Sequence, residues 1–228
     1  MLTVITYCWG TKYQPDDVRR LKGMVQRYLT IPHEFAVITD KPEAFSDVKA
    51  IPIDWSKHVR NTCFVRLMTF HPAGAGMIGD KILQIDLDTI IVGNMNAIVS
   101  RYENLVLWRN PTRIPWDEPV MAGRPYYNTS ILLHRCGTMP WLWARFDPER
   151  PTCRDDQWWL SERLGPDVPH WDSRDGIYRM GREDTPGSGV NGELPSNARI
   201  VTFPGSEGKW TQPEIAAANP WIAEHVAA

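Results

Sequence analysis

The sequence predicts an α/β fold, one domain with a mainly parallel central sheet and helices on both faces. Three observations lead there. Short runs of β-branched and aliphatic residues, such as LTVITYC and EFAVITD, alternate with segments of helical period over the first hundred residues. The run KILQIDLDTIIV is apolar enough for a strand buried on both faces, which is how strands of parallel sheets read. The length of 228 residues, with 43% hydrophobic and 23% charged residues, suits a single domain over 1–228 with a core of its own.

Taken in order, LTVITYC is a strand, and GTKYQPDD is the loop that leaves it. DDVRRLKGMVQRYL reads as a helix, because Asp16 or Asp17 can cap it and Val18, Leu21, Val25 and Leu29 recur at helical spacing. EFAVITD is the second strand, closed by the turn signal DKPE, and VKAIPID is a weaker third. RNTCFVRLMTF reads as a helix with Phe64, Leu67 and Met68 on one face. KILQIDLDTIIV follows as one strand, then ENLVLWRN and TSILLHR as two more, and PEIAAANPWIAEHVAA as a terminal helix.

The formal charge of −2 argues against a generally basic nucleic-acid binder. Cys8, Cys63, Cys136 and Cys153 stand far apart, without CxxC or zinc spacing, so they read as separate reduced thiols in a cytoplasmic protein. No apolar stretch reaches the roughly 18 residues of a membrane span. MLTVITYCWG lacks the basic start and cleavage site of a signal peptide. The 11 tryptophans suit stacking on sugars or bases, but core packing is the larger expectation.

Asp86 and Asp88 raise the functional question, since unpaired carboxylates inside an apolar run are costly. On a strand, residues two apart share a side, so the two acids converge while Leu87 points into the core. In parallel sheets ligands bind beyond the carboxyl ends of the strands. That places the TYCWGTKY loop, the ITDK loop and the DLD stretch at one edge. Two converging hard-oxygen donors suit Mg²⁺ or Mn²⁺, which would leave positions open for phosphate oxygens. A turn cap plus a solvated acid would explain a bare DxD as well.

Six segments in order resemble the GT-A glycosyltransferases, most closely family eight and related phage-encoded enzymes. They are VITYCWGTKY, CFVRLMTF, ILQIDLDTIIVGNM, YYNTSILLHR, RDDQWWL and ARIVTFPGSEGKW, from about residue 3 to 210. The resemblance implies a GT-A-like (Rossmann-like) domain, with residues 1–100 as its nucleotide-binding half and 101–228 as its acceptor-side half. It also implies a nucleotide-sugar donor, expected to be a UDP-sugar, a Mn²⁺ or Mg²⁺ ion on Asp86 and Asp88, and transfer with retention. Retention without a placed carboxylate nucleophile implies front-face attack, with the leaving phosphate taking the acceptor proton. Two departures stand out. IVTFPGSEGKW holds no histidine where the family usually has its third metal ligand, and Thr202 or Pro204 occupies that position. TSI also lacks the glycine usual after Asn-Ser.

By the same resemblance, Tyr7, Trp9, Thr11 and Lys12 shape the base and ribose pocket, although Tyr7 also reads as core. Arg66 contacts nucleotide or sugar, or else is an exposed helical arginine. Gly205 and Gly208 let backbone N–H groups approach phosphate, and Lys209 adds charge or is merely solvated. Asn128 meets sugar hydroxyls or sits in a turn. Asp156 bonds the sugar hydroxyls and Gln157 lies beneath the anomeric carbon, while Asp155 beside them is a candidate for the same set and one of the two acids caps a helix. DSRDGIYRMGREDTPGSGVNGELPSN, 172–197, reads as a flexible loop that closes over donor, with Arg174, Arg179 and Arg182 reaching the diphosphate, or else as a surface loop with no role. The acceptor stays open among glycan, protein, small molecule and modified DNA base. Two other classes remain: a Mg²⁺-dependent haloacid-dehalogenase-type phosphatase with Asp86 as nucleophile, and a non-catalytic sugar-binding module.

Overall fold

The computed structural model describes residues 1–53, 63–111, 125–147, 152–181, 189–190, 192–203 and 210–226. Two sheets carry the fold. The larger contains β1 (Leu2–Cys8), β2 (His33–Thr39), β3 (Lys49–Pro52), β4 (Lys81–Ile85), β6 (Leu105–Arg109), β7 (Tyr127–Arg135) and β8 (His170–Trp171), in the order β3-β2-β1-β4-β7-β6-β8. Only β7 runs against its neighbours, so the sheet is mainly parallel as expected. The smaller sheet has the order β10-β9-β11-β5, from β5 (Thr89–Ile91), β9 (Ile177–Met180), β10 (Gly189–Val190) and β11 (Ile200–Thr202).

Strand alternation divides the core. On β1, Leu2, Val4 and Cys8 face one side, and Ile5 and Tyr7 face the other. The first side is covered by α1 (Pro15–Tyr28), whose Val18, Leu21, Met24 and Val25 are buried. Each such side chain contributes about 1.5–3 kcal/mol. The second side is covered by a 3₁₀ helix at Cys63–Phe70 and by two later helices, Pro140–Ala144 and Asp156–Leu164. Helices therefore lie on both faces. Trp108, Trp159 and Trp171 are fully buried and Trp221 nearly so, which favours packing over stacking for these four. The four cysteines are free.

The structure corrects several expectations. KILQIDLDTIIV is two strands, β4 and β5, in different sheets, with residues 86–88 as the crossing between them. The crossing is held by Asp86 N–H donating to Ser130 O (2.9 Å) and Phe203 N–H donating to Asp88 O (2.7 Å). CFVRLMTF is 3₁₀ rather than α, and nearly every residue of it is buried. Pro220 splits the terminal helix into Pro213–Ala218 and Trp221–Val226, because its ring cannot continue a helix. The stretch 172–197 is not one loop. Its described residues include β9 and β10, and Ile177, Tyr178 and Val190 are core residues. Arg182 lies outside the described residues.

Candidate functional site

The site forms where β1, β2 and β4 end at one edge. The chain leaves β1 through Trp9 and Gly10, the latter at φ +64, a left-handed conformation that suits glycine. Gly10 N–H donates to Asp40 Oδ2 (3.1 Å), and Lys41 Nζ donates to Gly10 O (2.7 Å), so the end of β2 holds this loop. Tyr13 OH donates to Asp88 Oδ2 (3.2 Å), which ties the loop to the crossing. The three segments expected at one edge are thus bonded together.

A cavity of about 390 Å³ opens there, lined by Trp9, Thr11, Lys12, Tyr13 and Tyr7 on one side and by Cys63, Arg66, Asp86, Leu87 and Asp88 on the other. Asp86 and Asp88 do converge on it, but through the turn between two sheets rather than along one strand. Leu87 does pack into the core, at 5% exposure. Arg66 is no exposed helical arginine. Its Nη2 donates to Asp86 Oδ2 (2.7 Å), and its Nη1 approaches Asp156 Oδ2 (3.4 Å) and Thr129 Oγ1 (3.3 Å). Burial works against the Arg66 cation, but Asp86 and Asp156 outweigh it, so it is held charged. Burial raises Asp86, against the pull of Arg66 and with a further push from Asp88, and it raises Asp88 against the pull of Lys12 and Arg66. Burial likewise pushes the Cys63 thiol up to about 12, which leaves it no nucleophile at neutral pH.

These observations bear on metal binding. Two hard carboxylates converge on one cavity, and burial raises both, so their charged forms are poorly solvated there. A Mg²⁺ or Mn²⁺ ion fits that donor set. Among the described residues no group of three His, Cys, Asp or Glu side chains surrounds a common point. Thr202 is not a third ligand: it is 4% exposed, and its hydroxyl donates to Tyr178 O (3.4 Å) inside the small sheet. Pro204, Gly205, Gly208 and Lys209 lie outside the described residues. Of the two residues that flank them, Phe203 lies beside the acid pair. Phe203 is bonded to Asp88, and the Arg20 guanidinium of α1 stacks 4.7 Å from the Trp210 ring.

Asp155, Asp156, Asn128 and Gln157 are not among the residues that line the cavity. Asp155 is the helix cap: its side chain accepts from Trp158 N–H (2.9 Å), and the Asp156–Leu164 helix begins after it. Asp156 is 0% exposed, and its Oδ2 also accepts from Thr129 Oγ1 (2.7 Å). It meets Arg66, not the open cavity. Asn128 is half-buried on β7, and its Oδ1 accepts from Ser130 N–H (2.8 Å). Gln157 is half-buried, and its side chain makes no hydrogen bond among the described residues. Tyr7 is 4% exposed, edge-on to Trp9, with its OH donating to Gln84 Oε1 (3.1 Å), so it is a wall of the cavity. Lys12 is exposed, with Nζ 4.8 Å from the Tyr13 ring centre. Sequence reasoning missed Tyr13, Gln84 and Thr129. Gln84 carried a signal, being a polar residue two before Asp86 in an apolar strand.

No protein-family model and no curated protein matches the chain. Solved structures do. The galactosyltransferase LgtC in complex with donor and acceptor sugar analogs superposes with a TM-score of 0.61 at 11% identity, covering 99% of this chain and 97% of that one. An active-site mutant of LgtC gives 0.62 at 12% identity, with the same coverage. At such identity the likeness is one of fold: the chain is a mixed α/β domain whose mainly parallel seven-stranded sheet matches the GT-A-like, Rossmann-like architecture of LgtC.

Proposed function

We propose that this chain is a metal-dependent glycosyltransferase that moves a sugar from a nucleotide-sugar donor, expected to be a UDP-sugar, to a hydroxyl acceptor with retention. One observation carries the reading. Asp86, Asp88 and Arg66 share a cavity with an aromatic and basic loop, Trp9 to Tyr13, at the carboxyl edge of the sheet. The fold shared with a galactosyltransferase, and the six segments that resemble family eight, support it.

In this reading Trp9, Thr11 and Lys12 line the nucleotide end, with Tyr7 as its rigid back wall. Asp86 and Asp88 would hold Mn²⁺ or Mg²⁺, whose positive charge counters the charge that builds on the leaving diphosphate. Arg66 reaches the sugar side of the same cavity, and Lys209 with Gly205 and Gly208 adds phosphate contacts. Gln157, with its amide unengaged, meets the sugar, as does Asn128. Asp156 acts through Arg66. Because its carboxylate is buried and engaged, it is not offered as a nucleophile, and front-face attack with the diphosphate taking the acceptor proton remains the mechanism. The acceptor is a glycan, protein, small molecule or modified DNA base, and the working compartment is the cytoplasm. Among the described residues no helix is long and apolar enough to cross a membrane.

The phosphatase alternative is disfavoured by topology. Its DxD closes the first strand of the domain, whereas here the first strand ends in Cys8 and the acid pair follows β4. Turnover with UDP-, GDP- and TDP-sugars against an acceptor panel, read by nucleotide release and by the product's anomeric NMR signals, tests the proposal. Sugar transfer with retained configuration, lost in Asp88→Ala, is expected. Phosphate-ester hydrolysis through a phospho-aspartate on Asp86, with no sugar transfer, would overturn it.

A further inference from the structure

We infer that Tyr7, Gln84 and Thr129 form a buried polar relay that fixes the Arg66 guanidinium across Asp86 and Asp156, and that all three are positioning residues for the reaction. The catalytic consequence rests on the glycosyltransferase reading; the positioning itself does not.

The relay runs between elements far apart in sequence. Tyr7 OH, at the end of β1, donates to Gln84 Oε1 (3.1 Å) on β4. Gln84 Nε2 donates to the backbone carbonyl of Thr129 (2.7 Å) on β7. Thr129 Oγ1 donates to Asp156 Oδ2 (2.7 Å) and accepts from Arg66 Nη1 (3.3 Å). A second tether fixes the backbone, where Thr69 Oγ1 donates to Arg66 O (3.1 Å). Gln84, Thr129 and Asp156 are each 0% exposed. Apolar side chains would fill these places without desolvating polar groups, so a run of three fully satisfied polar residues marks a constraint other than packing.

The constraint is the orientation of Arg66. Its Nε is buried and has no hydrogen-bond partner among the described residues. The plane of the fork is therefore set by its Nη contacts alone, one nitrogen to Asp86 and the other to Asp156 and Thr129. A guanidinium binds through a fixed fork, so a rotation of the plane misdirects it. The bond to Asp156 is long, at 3.4 Å, which leaves the Thr129 hydroxyl to hold that carboxylate in place. Gln84 lies on β4, two residues before Asp86 at the start of the crossing, and it grips the Thr129 carbonyl. The acid end of β4 and the Thr129 hydroxyl are thus kept in register.

The test compares Thr129→Val, which keeps the shape and removes the hydroxyl, with Thr129→Ser, which keeps the hydroxyl. Gln84→Met serves as a second break should Thr129→Val fail to fold. With ¹⁵N-arginine labelling, the Arg66 Nη–H signals should be resolved in the wild type and in Thr129→Ser, and averaged in the two broken variants. In turnover, the broken variants should lose on the order of 10–100-fold in kcat, with nucleotide Kd within about two-fold, and Thr129→Ser should recover. A lowered Tm with unchanged kcat at a permissive temperature, or unaltered Arg66 signals, would overturn the proposal. If the wild type transfers no sugar at all, the glycosyltransferase reading fails, and the NMR comparison still decides the positioning.

Discussion

Replacing Arg66 with Met should produce a protein whose stability deficit depends on pH in an unusual direction. Arg66 bridges Asp86 at 2.7 Å and Asp156 at 3.4 Å, with side-chain exposures of 17%, 12% and 1% respectively. At an effective dielectric of about 20, each contact has a gross attraction of about 4–6 kcal/mol, largely offset by desolvation. Removing one partner of such a buried group typically costs about 3–5 kcal/mol, because charge is left uncompensated. For a chain of this length that is roughly 6–20 °C in Tm. The sign follows from proton linkage. Burial raises Asp86 and Arg66 is what pulls it down, so without that cation the Asp86 carboxylate is relieved by taking up a proton, and the folded variant binds more protons than the unfolded chain above about pH 4. Its stability then falls as pH rises. The deficit relative to wild type should be largest near pH 8 and shrink toward pH 5. Thermal unfolding in EDTA across that range measures it. A deficit under about 2 °C at pH 8, or one that grows on acidification, would refute the bridging role.

Other predictions follow from single observations. His134 is wholly buried against Phe70, with ring centres 4.4 Å apart, and burial lowers it to about 4. Its folded value lies below its unfolded one, so the stability is present above about pH 6.5 and lost as pH falls toward 4, by roughly 2–3 kcal/mol; His134→Leu should flatten that part of a Tm–pH profile. Thr202→Val should leave metal affinity and turnover within about two-fold of wild type and cost at most about 1 kcal/mol for its one long hydrogen bond; a ten-fold rise in the Mn²⁺ concentration needed would restore Thr202 as a ligand. Gln157→Ala should cut kcat at least about ten-fold while nucleotide Kd, by calorimetry, stays within about two-fold; equal losses in both would move Gln157 to the nucleotide.

The sequence carried the strand–helix alternation, and with it the sheet, because period-2 and period-3.6 burial leave separate traces in the apolar pattern. It also carried the acid pair, since charge inside an apolar run has few cheap explanations. It did not show the break after Ile85. An apolar run reads the same whether it stays in one sheet or crosses to a second, and the crossing is set by β7 and β11, distant in sequence. Asp156 was singled out, but its burial was invisible, because Arg66 and Thr129 are brought to it only by the fold. Ile177 and Val190 sit among glycines and charges, so a segment that supplies two short strands looked like open loop.

The central claim is that Asp86 and Asp88 hold a cation on which a nucleotide diphosphate sits, and donor-dependent thermal stabilisation tests it most directly. A UDP-sugar at about 100 times its Kd stabilises the folded state by about 2.7 kcal/mol, which is roughly 5–10 °C for this chain. The account predicts a shift of that size with Mn²⁺ present, little or none in EDTA, and none in Asp88→Ala under either condition. An equal shift in EDTA, or a full shift in Asp88→Ala, would contradict it.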